Sequence, residues 1–94
     1  MKGLPSVDAL ESVHAFPGPY TFKVFGPGES SVMEDARSIA LTHVESVEDV
    51  SLSTRASSRG TYVCVSLKMT VASAEMVREI YRALVRLESV RFLL

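Results

Sequence analysis

The segment with the clearest potential for binding chemistry is a short polar turn, Ser57-Ser58-Arg59-Gly60. Gly60 permits a positive φ, which lets backbone N–H groups converge, and the two serines offer hydroxyls. The guanidinium of Arg59 can hold an anion through two parallel hydrogen bonds. The turn is therefore a candidate site for a phosphate, a carboxylate or an acidic peptide, and Lys23 joins it only if the turn curls over the sheet. The alternative is an ordinary hairpin turn with a solvated arginine.

A second candidate is a row of arginines, Arg78, Arg82 and Arg86, which recur every four residues and share one helix face. One interpretation is a docking surface for an acidic partner. The other is a solvated helix face, because Glu75 and Glu79 each precede an arginine by three residues. Cations also suit the C-terminal end of a helix. Both interpretations stay open at this point.

The sequence contains no recognisable constellation for catalysis or metal binding. Cys64, the single cysteine, lies within a predicted strand with no group nearby to activate its thiol, so we interpret it as structural. His14 and His43 lack neighbours at ligand spacing, whereas a metal site needs three or four converging ligands. Ser57 and Ser58 have no evident histidine and carboxylate partners. We therefore predict no catalytic residue, no metal site and no cofactor.

Length, composition and charge restrict the function classes further. Ninety-four residues make one domain, and 47% hydrophobic with 22% charged residues is typical of a globular protein. The net charge is only −1, although residues 1–54 carry −5 and residues 55–94 carry +4. The N-terminus lacks the apolar stretch of a signal peptide, and no apolar run approaches the roughly 18–20 residues of a membrane span. A single unpaired cysteine favours the cytoplasm.

The elements that must position these residues follow from local patterns. Residues 1–19 predict an arm packed on the domain, in which Ser6 caps a short helical turn before a Pro-Gly-Pro stretch. Alternation and helical spacing of apolar residues define the rest. The predicted elements are strands at 20–25, 50–55, 62–71 and 90–94 and helices at 31–46 and 73–87.

Hydroxyl residues predict where both long helices begin. Ser31 with Glu34 forms a capping box, and Ser73 caps the second helix with Glu75 in its first turn. Methionines near the apolar stripes are predicted to fill gaps in the core. They are Met33, Met69 and Met76.

The order β-α-β-β-α-β predicts an α+β, ferredoxin-like sandwich. Two right-handed crossovers interleave into a four-stranded antiparallel sheet in the order 4-1-3-2, with both helices on one face. The long apolar third strand is then central, and the polar second strand lies at an edge, where polar side chains discourage unwanted pairing. We treat residues 1–94 as a single ferredoxin-like domain.

The same element order occurs in RNA-recognition motifs, and Arg59-Gly60-Thr61-Tyr62-Val63 resembles the start of their third strand. The two positions that carry stacking aromatics in that motif are Thr61 and Val63 here, and Val63 belongs to the buried row. Tyr62 alone is aromatic on the outer face of this strand. The sequence therefore argues against nucleic-acid binding.

Three segments resemble the YbeD family of small bacterial proteins of unknown function. They are Phe16-Pro17-Gly18-Pro19-Tyr20-Thr21-Phe22-Lys23-Val24-Phe25-Gly26, Ser57-Ser58-Arg59-Gly60-Thr61-Tyr62, and Ile80-Tyr81-Arg82-Ala83-Leu84 with Val90-Arg91-Phe92-Leu93-Leu94. The resemblance implies a ferredoxin-like fold similar to the ACT regulatory domains of amino-acid metabolic enzymes, and it brings no catalytic residues. Arg59 and Thr61 depart from the family's usual lysine and asparagine.

The leading hypothesis is a regulatory or adaptor domain, not an enzyme, that binds a protein partner or a small anion. A homodimer is a further expectation, because such domains extend their sheets by edge pairing and Phe92, Leu93 and Leu94 offer an apolar edge. The alternative is an ACT-type sensor that binds an amino acid or another small metabolite at the Gly26-Pro27-Gly28 turn and the first long helix. We expect no membrane association.

Overall fold

Strands of alternating apolar and polar residues pair into a single sheet. A computed structural model describes residues 4–94, so the first three residues of the predicted arm lie outside this range. The described strands are β1 (Gly18–Pro27), β2 (Val50–Ala56), β3 (Tyr62–Val71) and β4 (Phe92–Leu93). Neighbouring strands are antiparallel, and their order is β2-β3-β1-β4. This is the predicted order 4-1-3-2 read from the opposite edge, so the predicted α+β sandwich is confirmed.

Within residues 4–94 the helical elements lie before and between the strands. They are α1 (Val7–Val13), α2 (Val32–Leu41), a 3-10 turn (Val47–Asp49) and α3 (Ala74–Val85). No helix in this range is long and apolar enough to cross a membrane. The α1 helix falls within the predicted arm, packs against α3 and buries Leu10.

Serine side chains begin two of the helices as predicted. The Ser6 hydroxyl accepts a hydrogen bond from the Ala9 N–H at 3.1 Å, and the Ser73 hydroxyl accepts one from the Met76 N–H at 3.2 Å. Each bond satisfies an amide that has no partner within its own helix. Both predicted N-caps are confirmed.

The predicted capping box at the start of α2 is wrong. Ser31 has φ −85° and ψ 18°, which is not the extended conformation of an N-cap, and its side chain bonds no backbone amide. Its hydroxyl donates instead to the Asp35 carboxylate at 2.7 Å. Ser89 donates to the same carboxylate at 2.7 Å, which ties α2 to the segment before β4. These two hydroxyls hold the pKa of Asp35 below its usual value.

Other predicted boundaries also shift. The α2 helix ends at Leu41 and not near residue 46, because the Thr42 hydroxyl bonds the Ile39 carbonyl at 2.7 Å and closes the last turn. Only Phe92–Leu93 of the predicted last strand pairs with β1. Met33 is 41% exposed and not a core residue, because its neighbour Val32 faces the core and adjacent helical residues diverge by about 100°.

The core lies between α2, α3 and one face of the sheet, which we call the inner face. Predicted inward rows of β1 and β3 and the apolar stripe of α3 meet there. The largest fully buried side chains are Phe22, Leu67, Met69, Ile80, Leu84, Val24, Val32, Val65, Val71 and Val77. This apolar area removed from water is the main term that stabilises the fold.

Within the described part of the chain, no helix covers the opposite face of the sheet, which we call the outer face. Successive side chains of a strand point to opposite faces, so every second residue lies there. These residues are Pro19, Thr21, Lys23, Phe25, Pro27, Ser51, Ser53, Arg55, Tyr62, Cys64, Ser66, Lys68, Thr70 and Phe92. The molecule therefore presents one covered and one open side of the same sheet.

Candidate functional site

A shallow groove crosses the outer face near the β2–β3 turn, and we call it the outer groove. Its volume is about 450 Å³. It is lined by Phe25, Arg55, Ala56, Ser57, Tyr62, Cys64 and Phe92. Strand register explains the set, because Phe25 pairs with Cys64 on one side and Phe92 on the other, while Arg55 pairs with Cys64. One residue from each of the four strands therefore forms a single row.

Aromatic side chains give the outer groove its apolar character. The rings of Phe25 and Phe92 stack with centroids 4.3 Å apart and planes 11° from parallel, an arrangement typical of cross-strand pairs. Phe92 is 48% exposed and Tyr62 is 47% exposed. Contiguous apolar surface of this kind, kept in water, is typical of interaction sites.

Positive charge accompanies this apolar surface. Of the described residues, those in the four strands include no aspartate or glutamate, and their outward cations are Lys23, Arg55 and Lys68. The chain as a whole has 11 acidic and 10 basic residues, so the excess belongs to this face and not to the composition. The Lys23 ammonium donates to the Ser66 hydroxyl at 3.0 Å, which holds it over the sheet.

The predicted Ser57-Ser58-Arg59-Gly60 site forms the hairpin turn between β2 and β3. Gly60 has φ +69°, and its N–H donates to the Ser57 carbonyl at 2.9 Å. The Ser57 hydroxyl accepts from the Tyr62 N–H at 3.2 Å. All four turn residues are exposed. Two of the groups that were expected to face an anion are thus bonded within the turn, while Ser57 also lines the outer groove.

Lys23 lies apart from this turn. It pairs with Ser66, whereas Tyr62, the first residue after the turn, pairs with Pro27. Four strand residues correspond to about 13 Å. Lys23 instead lines a different hollow, at the free edge of β1, together with Lys68. The register therefore places Arg59 and Lys23 in separate neighbourhoods.

The predicted arginine row lies on the helical side of the molecule. Arg78 and Arg82 border a hollow of about 390 Å³ on α3, shared with Glu75 and Glu79. Arg86 follows the last turn of the helix as its C-cap. Carboxylates accompany two of these arginines, unlike the cations of the outer face.

The hollow at the free edge of β1 contains a tyrosine pair. The hydroxyls of Tyr20 and Tyr81 lie 3.0 Å apart, and the Tyr81 hydroxyl donates to the Leu94 carbonyl at 3.3 Å. Burial, followed by the bond to Tyr20, raises the pKa of Tyr81. The Tyr81 hydroxyl is therefore neutral at ordinary pH, and the pair forms part of the lining of this hollow.

The remaining reactive side chains lie apart from one another. His14 packs against Tyr20 with centroids 4.9 Å apart, while His43 bonds the Ile39 carbonyl at 3.0 Å. Cys64 is a half-buried free thiol on the floor of the outer groove. Among residues 4–94, no three histidine, cysteine or acidic side chains come together as metal ligands.

Sequence reasoning missed the outer groove, although a signal for it exists. Alternation along β1 places Phe25 on the same face as Lys23, and the predicted strand order places β1 between β4 and β3. Combining the two puts Phe25 on the same face as Phe92 and Cys64 and on the strand between theirs, while the row that they share depends on register. Within its own strand, Tyr62 is an isolated aromatic, and only the neighbouring strands bring Phe25 and Phe92 to the same groove.

Comparison with known proteins gives one family and one fold. Residues 11–94 match the family described as "Protein of unknown function (DUF493)". A UPF0250 protein of Shewanella piezotolerans is 35% identical over 82 residues, which cover 87% of this chain and 91% of that protein. A UPF0250 protein of Haemophilus ducreyi is 31% identical over 94 residues, with 100% and 94% covered. The solution structure of protein HP0495 from H. pylori has a TM-score of 0.66 at 16% identity, covers 99% of this chain and 98% of that one, and shows the fold alone.

Proposed function

The chain belongs to the DUF493 family of proteins of unknown function, and this membership confirms the resemblance to the YbeD family. Because the family has no assigned function, we propose one from the side chains of the site. The protein is a regulatory or adaptor domain of the cytoplasm, not an enzyme, and it binds another protein through the outer face of its sheet. Fold alone does not determine function, so the proposal depends on the side chains of that face.

The observation that carries the proposal is the apolar outer groove on a face with cations and no strand carboxylates. Other exposed apolar residues, such as Val13, Val47 and Val85, line none of the hollows described above. Those of the groove are contiguous. Phe25 and Phe92 stack on each other, and this stacking leaves the groove open to solvent. A partner that covers the groove would remove this area from water, which is the usual driving force of association.

The alternative, an ACT-type sensor at the Gly26-Pro27-Gly28 turn, has less support. A Cβ added to Gly26 would meet the Ser89 carbonyl, and one added to Gly28 would meet the Gly60 carbonyl. The Gly28 N–H already donates to the Thr61 carbonyl at 2.9 Å. The chain's own backbone therefore occupies the space and the amide that a small metabolite would use there.

Three earlier hypotheses remain proposals of their own. Anion binding at Ser57-Ser58-Arg59-Gly60 depends on Ser58 and Arg59, which keep exposed side chains. Docking at the arginine row of α3 depends on Arg82 and Arg86, which are exposed. A homodimer through the β4 edge has two strand residues available, Phe92 and Leu93, and Leu93 is already buried.

Affinity capture with matched variants tests the proposed function. We expect immobilised wild-type protein and an Arg82→Glu variant to retain the same partner from a lysate of the source cells. We expect Arg55→Glu to lose it, because Arg55 borders the outer groove while Arg82 lies on α3. Quantitative mass spectrometry of the retained proteins is the measurement.

Two results would contradict the proposal. Loss of the partner with Arg82→Glu but not with Arg55→Glu would place docking on the arginine row. Retention of no protein by the wild type above an empty-resin control would remove the adaptor function. Circular dichroism of each variant checks that the fold is unchanged.

A further inference from the structure

The outer groove has the size of a ligand pocket but not the enclosure of one. Small-molecule pockets of roughly 300–1,000 Å³ bury about 70–90% of their ligand. The outer groove, at about 450 Å³, falls within this range, yet two of its walls, Phe92 and Tyr62, are themselves half exposed. A group that enters it stays open to water unless a larger molecule covers the rim. The groove therefore suits a side chain carried by a polypeptide.

The distances from the outer groove to the lysines of the outer face match the distances between alternate residues of an extended polypeptide. Lys23 lies two residues from Phe25 on β1, and Lys68 lies four residues from Cys64 on β3, all on the same face. At about 3.3 Å per residue these steps are about 7 Å and 13 Å. Alternate residues of an extended peptide advance by the same 7 Å. A peptide with its anchor in the groove thus brings its second and fourth following residues to the two lysines.

Charge selects the kind of partner. A second copy of this chain, facing outer surface to outer surface, would set Lys23, Arg55 and Lys68 against the same cations. A nucleic acid would lay a continuous line of phosphates along the face, and the described strands offer only three outward cations to meet it, Lys23, Arg55 and Lys68. An acidic peptide avoids both costs because its carboxylates need to lie only opposite the cations.

We propose that the outer groove receives an aromatic side chain from an extended, acidic segment of another protein. Carboxylates two and four residues after that aromatic residue lie over Lys23 and Lys68, and the guanidinium of Arg55 borders the anchor. The proposal rests on the proposed function and adds to it the chemistry of the partner. It assigns the specificity of the domain to three cations and one apolar depression.

A synthetic peptide, Ser-Trp-Ser-Glu-Ser-Glu-Ser, tests this assignment directly. The chain contains no tryptophan and one cysteine, so peptide fluorescence reports binding and the rate of Cys64 modification by a thiol reagent reports its place. We expect a Kd below about 1 mM and slower modification of Cys64 in the bound state. Affinity should fall with added salt, because the contacts are between charged groups.

Matched variants and peptides locate the contacts. A Lys23→Glu, Lys68→Glu double variant should bind at least about tenfold more weakly, since like charges face each other across the interface. Arg82→Glu, on the other side of the molecule, should bind as the wild type does. A peptide with lysine in place of both glutamates should neither bind nor protect Cys64.

Several results overturn the proposal. Equal binding of the acidic and basic peptides would exclude the charge match, and binding without protection of Cys64 would exclude the groove. Protection of Cys64 by a single-stranded oligouridine and not by the peptide would assign the face to nucleic acid. Protection that rises with protein concentration alone would assign it to a second copy.

The affinity-capture experiment distinguishes failure of this inference from failure of the proposed function on which it depends. A partner lost with Arg55→Glu, together with a peptide that fails to bind, keeps the outer face as a docking surface and overturns only the chemistry of the segment. Failure of both experiments removes the proposed function as well.

Discussion

The two faces of one sheet place the same residue type in opposite surroundings. Phe22 on the inner face is fully buried, with its ring centroid 4.8 Å from that of Tyr20 and 4.9 Å from that of Tyr81. Phe92 on the outer face is 48% exposed and has one aromatic neighbour, Phe25. A small domain has one core to build, so the inner face stabilises the fold and the outer face remains available for recognition.

Removing the inner phenylalanine should have the largest effect on stability. Phe22→Ala deletes a fully buried ring between two tyrosines, and such truncations cost about 3–5 kcal/mol of unfolding free energy. Urea denaturation followed by circular dichroism measures the loss as a lower midpoint at an unchanged slope. A loss no larger than that of the matched Phe92→Ala variant would contradict the division between the faces.

Adding one methyl group on the inner face should also destabilise the fold. An alanine Cβ at Gly26 would overlap the Ser89 carbonyl and lie 2.9 Å from the Val32 Cβ. Because backbone atoms cannot move aside as a flexible side chain does, we expect Gly26→Ala to cost about 1–3 kcal/mol. The melting temperature is the measurement. Ser53→Ala, an exposed change on the outer face, is the control and should stay within about 0.5 kcal/mol of the wild type.

The two faces also differ in how much of their structure the sequence predicts. The inner face was predictable, because a two-residue period along β3 and a helical period along α3 each mark a buried row without any knowledge of the partner strand. Strand order followed from connection rules. The capping box at Ser31 failed because the Ser31 backbone is not extended and its hydroxyl is oriented toward Asp35, one turn away, to which it donates a hydrogen bond.

The outer groove depends on register across three strand pairs, which no local pattern contains. Phe25 and Phe92 are far apart in the chain and stack only because Arg91 and Leu94 bond β1 on either side of them. Periodicity states which face each residue occupies, but not which residues of different strands share a row. Lys23 and Arg59 illustrate the same limit, since both are exposed but their separation along the sheet depends on the strand pairing.

Removing a buried hydroxyl group on the helical side of the sheet should lower the free energy of unfolding by less than the steric clash at Gly26 does. Tyr81→Phe removes the hydroxyl that lies 3.0 Å from that of Tyr20 and bonds Leu94, which leaves the Tyr20 hydroxyl short of one partner. We expect a loss of about 1–2 kcal/mol, since a buried polar group loses a bond and keeps its desolvation cost. Urea denaturation at neutral pH measures it. An unchanged midpoint would show that water replaces the pair.

Because of the same tyrosine, we expect the stability of the fold to decrease at alkaline pH. Burial raises the pKa of Tyr81 in the folded state, so the unfolded chain loses this proton first, near pH 10. The stability that the neutral hydroxyl contributes is therefore complete below about pH 10 and is lost progressively above it. Wild-type protein should lose stability over this range more steeply than Tyr81→Phe, and parallel curves for the two proteins would contradict the assignment.

The smallest effect on stability should come from the outer phenylalanine. Phe92→Ala gives up a stacked ring pair on a half-exposed surface, and aromatic pairs of this kind contribute about 0.5–1.5 kcal/mol. Because about half of the Phe92 side chain is already in contact with water, its removal exposes little further apolar surface. We therefore expect the free energy of unfolding to fall by at most about 1 kcal/mol in urea denaturation. Binding of the tryptophan peptide should fall far more than stability does, since Phe92 forms one wall of the groove. A variant that loses stability and binding in equal measure would mean that the outer face belongs to the core, and the distinction between the two faces would fail.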